Sequence, residues 1–259
     1  MATRPLAAFF GKDMHSVFVI SGVSRGLGAA LAHAVLARGD RLIGISRSPS
    51  PLGTHIVHDL AQPAGLADKL APLLRAEVGP QVRRYVLVNN AGVLAPIGTR
   101  YDTADIERNL MVNLAAPIAL SRVFLDILAE VPADKRVLNI SSGAATRPIH
   151  GWSLYCAAKA GLEHFGRCLA LEQQVAAHPA DVVNISPGVI DTGMQAAIRA
   201  ATPEQFPDLA RFQALHAEGA LATPEAIADK LLAGIDAGAR HAGVTLPIGD
   251  FAAGRTDPA

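Results

Sequence analysis

Cysteine is nearly missing from this chain: two in 259 residues, Cys156 and Cys168. Both fall in one predicted helical stretch, where two thiols are badly placed to bridge. No disulfide framework is expected, and a reducing cytoplasmic location is the default. Surplus charge is missing too. Lys plus Arg and Asp plus Glu number 23 each, so the formal net charge is zero. A nucleic-acid partner requires a basic face, and none is implied. No apolar run approaches the roughly 20 residues that span a bilayer, so no membrane partner is expected. Met1 to Met14 carries Arg4, Lys12 and Asp13 around a short apolar patch, without the apolar core and cleavage site of a signal peptide. It reads as a ragged extension, and Met14 would serve equally well as a start. No linker, low-complexity tract or repeat divides the chain, so 1–259 reads as one domain. No metal site is expected.

What is present is apolar and regularly punctuated. Half the residues are hydrophobic, enough for a sizeable core. Short β-branched runs recur at Ser16 to Ile20, Arg41 to Ser46, Thr54 to His58, Tyr85 to Asn90, Arg136 to Ser141, Asp181 to Ser186 and Gly243 to Pro247. Most are nearly continuous apolar runs, as strands covered on both faces should be. Ala/Leu-rich amphipathic stretches lie between them. Such β–α alternation predicts an α/β fold with a doubly wound parallel sheet of about seven strands. One segment, 192–223, has no strand. Thr202-Pro203 and Thr223-Pro224 each read as a helix start, with Thr at the N-cap and Pro at the first helical position. A helical insertion after a late strand suits a lid over a site at the strands' carboxyl ends; a packing subdomain is the competing reading.

"VISGVSRGLGAALAHAVLARG" runs from strand to helix through Gly22, Gly26 and Gly28. Glycines there let the backbone bend sharply and bring its N–H groups up to a pyrophosphate. A plain tight turn would use the same residues. The flanking strand and helix favour a nucleotide and a Rossmann-type domain. An acid at the end of the second strand usually holds the ribose of NAD. Here that place is taken by Arg47, with Arg25 inside the glycine turn. Two guanidiniums suit a 2′-phosphate, hence NADP(H); a solvated loop arginine is the competing reading of Arg47. Asp59 and Leu60 close the third strand, where Asp59 could accept from an adenine amino group or cap the next helix.

"GWSLYCAAKAGLEHF" sets Tyr155 and Lys159 four residues apart, on one helix face. A phenol with a pKa of about 10 is a poor acid near neutrality. A lysine beside it can favour phenolate and lower that value by roughly 1–3 units. Small neighbours (Ala157, Ala158, Ala160, Gly161) allow close approach by a cofactor and by other helices. Ser142, just after a strand, can hydrogen-bond a carbonyl that the tyrosine protonates. With "SGVSRGLG", "NNAG" at Asn89 to Gly92, "VNL" around Asn113 and "SPGVIDTGM" after the sixth strand, nearly the whole chain resembles the short-chain dehydrogenase/reductase family. The resemblance implies a catalytic tetrad of Asn113, Ser142, Tyr155 and Lys159. Tyr155 would be the general acid, Lys159 would hold the nicotinamide ribose, and Asn113 would hold a water in a proton relay, with Asn109 a nearby decoy. It implies that Gly22, Ser24, Arg25, Gly26, Leu27 and Gly28 line the pyrophosphate and adenosine ribose. Asn90, Ala91 and Gly92 would floor the cleft, and Pro187, Ile190 and Thr192 would meet the nicotinamide carboxamide. The glycine motif opens with Ser21 where the family usually has threonine.

Within the family, "NNAGVLAPIG", "DKRVLNISSGAA", "GWSLYCAAKAG" and "SPGVIDTGMQAAIR" resemble the benzil reductase branch, itself similar to sepiapterin reductases. That implies NADPH-dependent reduction of one carbonyl of an α-dicarbonyl. Leu94, Ile149, Trp152, Met194, Phe206 and Phe212 are the apolar pocket candidates; each could equally be ordinary core. A pterin substrate would need an acidic anchor, for which Asp191 and Asp250 are available. Other readings are a non-catalytic NADPH sensor, which would not need an intact tetrad, and an enzyme running mainly as an alcohol dehydrogenase. Besides a small carbonyl substrate, the expected partner is a second or further copy of the chain, as homodimer or homotetramer.

Overall fold

The structure, a computed structural model, describes residues 14–257. The extension read at Met1 to Met14 therefore lies outside the described residues, Met14 excepted. Seven strands form one parallel sheet: β1 (His15–Ser21), β2 (Arg41–Ser46), β3 (Thr54–Val57), β4 (Val82–Asn89), β5 (Asp134–Ile140), β6 (Asp181–Ser186) and β7 (Thr245–Pro247). Their order is β3-β2-β1-β4-β5-β6-β7. The chain winds outward from β1 in one direction, then outward from β4 in the other. The reversal opens a crevice at the carboxyl ends of β1 and β4, where α/β sheets bind ligands.

Strand alternation sorts the core into two layers. Phe18, Ile20, Val86, Val88, Leu138, Ile140, Val183 and Ile185 face α1 (Gly26–Ala37) and α8 (Pro224–Ala237). Val17, Val19, Tyr85, Leu87, Val137 and Val182 face α2 (Leu66–Ala76), α4 (Ala116–Ile127) and α5 (Ser153–Gln173). The pleat enforces this, because successive side chains leave a strand on opposite sides.

α3 (Thr103–Leu110) begins with a reciprocal cap, Asp102 accepting from the Asp105 N–H and Asp105 from the Asp102 N–H. It runs through a π-helical turn, Met111–Ala115, into α4. Together they make one 25-residue helix, Thr103–Ile127, long and apolar enough by composition to cross a membrane. Asp105, Glu107, Arg108, Arg122 and Asp126 interrupt it, so it holds no unbroken apolar run of the roughly 20 residues that span a bilayer. In the fold Val112, Ala116, Leu120 and Phe124 bury one side against the sheet.

The two Thr-Pro signals diverge. Thr223 caps α8, its Oγ1 accepting from Ala226 N at 3.2 Å, with Pro224 first in the helix. Thr202 also caps a turn, accepting from Gln205 N at 3.3 Å, but no helix follows. Pro207 lacks an N–H and disfavours helical backbone at Phe206, so α7 (Leu209–Ala217) starts only beyond it. α6 (Gly193–Arg199) precedes that turn, and α9 (Ile248–Ala252) is the last helix among the described residues. The segment 192–223 has no strand; a single parallel bridge, Ile190 to Ala222, ties its two ends.

Candidate active site

Four loops leave the carboxyl ends of the central strands and meet. The first follows β1. Gly22 and Gly26 have positive φ, 80° and 55°, which glycine alone adopts cheaply. A Cβ at Gly28 would strike the Gly22 carbonyl and the Asn90 side chain, so the start of α1 lies hard against the turn. That helix end has no side-chain cap and no acid in its first turn, leaving free N–H groups and the positive end of the dipole. Arg25 and Arg47 are exposed and make no side-chain hydrogen bond or ion pair among the described residues. The cradle fits a dinucleotide pyrophosphate, with two cations free to meet a further anion. Ser24 is exposed, while Leu27 is anchored in the core.

The second loop, after β4, is stapled to the first. The Ser21 hydroxyl accepts from the backbone N–H groups of Asn90 (3.0 Å) and Ala91 (3.1 Å), and Asn90 Nδ2 donates to Ser21 O at 2.9 Å. Asn90 thus buttresses the glycine turn. A Cβ on Gly92 would lie 3.2 Å from Asn113 Oδ1 and 4.0 Å from both Lys159 Nζ and Met194 Cε. Gly92 thus lies where Asn113, Lys159 and the segment 192–223 come together.

Asn113 sits in the π turn, fully buried. Its Oδ1 accepts from Val93 N at 3.0 Å, and its Nδ2 donates to Val93 O at 2.7 Å and to Asn109 Oδ1 at 3.0 Å. Asn109 in turn donates to Ala95 O at 3.1 Å. Asn109 is thus bonded to Asn113 from one helical turn before it, and the four-residue spacing is the signal that could have found this contact.

Ser142 follows β5 and caps a short 3-10 turn, Gly143–Ala145. Tyr155 and Lys159 come from α5, which approaches closely because Gly161 packs on Leu114 and Gly166 on Asn184 and Asn139. Both functional side chains are buried, at 6% and 3% exposure. Burial pushes Tyr155 up to about 12, with a Ser142 hydrogen bond pulling the other way. Burial pulls Lys159 down to about 8, opposed by Glu163. The expected lowering of Tyr155 by its lysine is therefore corrected. Lys159 Nζ stands 5.7 Å from the phenol ring centre and donates instead to Ile140 O at 2.7 Å. Removing the phenol from water outweighs a cation at that range.

After β6, Pro187 is buried, Ile190 packs on the α1/α8 core, and the Thr192 methyl lies against Gly26. All six pocket candidates fall in one cluster with Tyr155: Leu94, Ile149, Trp152, Met194, Phe206 and Phe212. Trp152 stacks on Phe206 at 5.0 Å and meets Tyr155 edge-on at 6.0 Å, while Phe212 packs edgewise on both Trp152 (5.7 Å) and Phe206 (5.3 Å). The Trp152 indole N–H is buried without a partner. So are both amide atoms of Gln195 on α6, which no sequence signal marks.

Asp59 and Leu60 have local partners. Asp59 Oδ1 accepts from Ala61 N at 3.0 Å, a local turn, and Oδ2 stands 3.7 Å from Arg108. Leu60 turns its side chain into the core beside α2. Cys156 and Cys168 are both free, on α5. Among the described residues no group of His, Cys, Asp or Glu is arranged to hold a metal.

Residues 16–203 match the family model for short chain dehydrogenases. The chain is 34% identical to the benzil reductase ((S)-benzoin forming) of Bacillus subtilis over 231 residues, covering 87% of this chain and 95% of that protein. It is 32% identical to the sepiapterin reductase of Rattus norvegicus, covering 84% and 90%. A solved structure from Beutenbergia cavernae, with NADP bound at low occupancy, superposes with a TM-score of 0.73 at 26% identity, over 93% of this chain and 98% of that one. With the glycine cradle, the buried Tyr–Lys pair and the flanking Asn and Ser already assembled, these matches place the chain in the short-chain dehydrogenase family of oxidoreductases.

Proposed function

We propose that the protein is an NADPH-dependent carbonyl reductase acting on one carbonyl of an α-dicarbonyl, of the benzil-to-(S)-benzoin type. The observation that carries this reading is the aromatic cluster that closes on Tyr155 and holds one orphan donor, the Trp152 N–H. An unpartnered buried donor costs about 1–3 kcal/mol. A dicarbonyl brings two acceptors: one for Tyr155 and Ser142, the other for Trp152. Aryl groups on such a substrate suit Phe206, Phe212 and Leu94.

NADPH, when bound, supplies the hydride. The cradle of Gly22, Gly26 and Gly28 would hold its pyrophosphate, and Arg25 and Arg47 its 2′-phosphate. Tyr155 gives its phenolic proton to the carbonyl oxygen; with a pKa of about 12 it is protonated at neutral pH, as a proton donor must be. Ser142 orients the same oxygen. Lys159 and Asn113 hold the route by which the phenol is reprotonated. Segment 192–223 closes over the substrate and excludes water. The pterin reading is less well supplied. Asp250 is held by Arg255 at 2.8 Å, and Asp191 is exposed beside Arg199.

The test is NADPH oxidation followed by absorbance across benzil, diacetyl, quinones and sepiapterin. Benzil should give the highest kcat/KM and an α-hydroxy ketone product. Preference for sepiapterin would replace the substrate assignment, and silence across the panel would favour a sensor. Arg47→Asp should weaken NADPH roughly 10- to 100-fold and spare NADH, because a charge-assisted contact becomes a repulsion.

A further inference from the structure

One helical turn beyond Lys159, on the same face of α5, lies Glu163. It is 3% exposed, a rare state for a carboxylate. Its Oε1 accepts from Ser141 Oγ at 2.6 Å, and its Oε2 stands 3.8 Å from Arg167, whose side chain is half exposed. Ser141 lies between Ile140, whose carbonyl receives Lys159, and Ser142, which faces the phenol. Two rungs therefore join α5 to the end of β5: Lys159 to Ile140, and Ser141 to Glu163.

We propose that Glu163 is a positioning residue for the reduction, fixing Ser142 against Tyr155 through Ser141 and supplying the buried negative charge that faces Lys159. It rests on the reading of Tyr155 as proton donor and Lys159 as its charged partner. Lys159 is wholly enclosed, and burial alone favours its neutral form. Glu163 is the charge that opposes this. The other groups around Glu163 do not substitute for it. Arg167 on α5 is a cation, the turn after β5 presents the neutral Ser141, and β6 presents Asn184, which donates to the Glu163 backbone carbonyl at 3.3 Å.

The experiment is the pH profile of kcat with NADPH and benzil. Glu163→Gln should move the alkaline limb down by about one pH unit, because Lys159 then loses its proton at lower pH. Benzil KM should change little. Glu163→Asp should return the limb most of the way. Ser141→Ala should lower kcat at every pH without moving the limb, since it cuts the anchor and keeps the charge. Arg167→Met, an exposed change, should move the limb the other way by a few tenths of a unit, and it tests the proposal even if Glu163→Gln does not fold. Profiles for Glu163→Gln or Arg167→Met that superimpose on the parent, with Tyr155→Phe inactive, overturn the role of Glu163 and leave the proton-donor reading standing. An active Tyr155→Phe overturns both.

Discussion

Neighbouring residues on the same strands face different worlds. Val88, Leu138 and Val183 point to α1 and α8, within an apolar cluster. Their successors Asn89, Asn139 and Asn184 point to α4 and α5 and bond to one another. Asn89 Nδ2 donates to Asn139 Oδ1 at 2.9 Å, and Asn139 Nδ2 to Asn184 Oδ1 at 3.0 Å. The sheet register sets each asparagine directly beside the next. At one end Asn89 donates to Ser121 on α4, and at the other Asn184 reaches the Gly243 and Glu163 carbonyls. Asn109, Asn113, Tyr155, Lys159 and Glu163 belong to the polar face. The apolar side supplies stability, and the side that buries polar groups supplies geometry. Directional bonds can hold a side chain to a fraction of an ångström where hydrocarbon packing only fills space.

The largest test of that division is Tyr155→Phe. It keeps the ring and removes the acid, so turnover should fall roughly 10²- to 10⁴-fold while NADPH binding and melting hold. Retained turnover would mean that the polar face is structural only. Next comes the pair Leu138→Ala and Asn139→Leu. The first should destabilise by about 2–5 kcal/mol, from lost burial and a cavity, and leave kcat per folded molecule intact. The second strands a donor on Asn89 and an acceptor on Asn184, at about 1–3 kcal/mol each, and should also depress kcat. Denaturant melts and turnover on the same samples would show whether the two faces separate in this way.

A smaller effect should have the opposite sign. Lys159 titrates near 8 when folded, against 10.5 for its ordinary value. A folded pKa below the unfolded one means that the fold gains stability as pH rises from about 8 to 10.5. Lys159→Met should therefore melt higher than the parent below pH 8, by at most about 3 kcal/mol, and lose that advantage toward pH 10.5. A flat difference across that window would show that the buried ammonium carries no penalty. The smallest expected change is in segment 192–223. Phe212→Ala should raise KM for benzil over that for diacetyl by roughly threefold to tenfold. Equal effects on both diketones would make 192–223 fixed scaffold.

Much of this is legible in the sequence because it is local or motif-like. Glycine spacing, strand ends and the Tyr155–Lys159 interval are written in short stretches. Four of the six apolar pocket candidates stand out by their place in loops, while Met194 and Phe212 lie on α6 and α7. What stays hidden depends on tertiary surroundings. The asparagine ladder is invisible in strands that read as apolar runs, because each strand contributes one rung. The acidity of Tyr155 is misjudged because the spacing shows a nearby lysine and says nothing of the desolvation around the phenol. Thr202 looks like Thr223 until Pro207 is weighed. Glu163 sits in plain helical spacing from Lys159, but only burial distinguishes it from a solvated acid.

The π turn at Met111–Ala115 has an evolutionary edge. There the Ala116 N–H reaches back five residues to Met111 O, so the helix carries one residue more than a regular turn needs. Each residue in a regular helix advances the chain by about 100°. Loss of a single codon in this stretch would let α3 and α4 run on as one ordinary helix, with its apolar side still able to find the sheet. Asn113 would be swung off Val93 and Asn109. The gene thus stands one small deletion from a protein that keeps its helix and its sheet but loses the placement of Asn113. Circular dichroism and an assay on a Val112 deletion would show it, and an active deletant would mean that the bulge is ornamental.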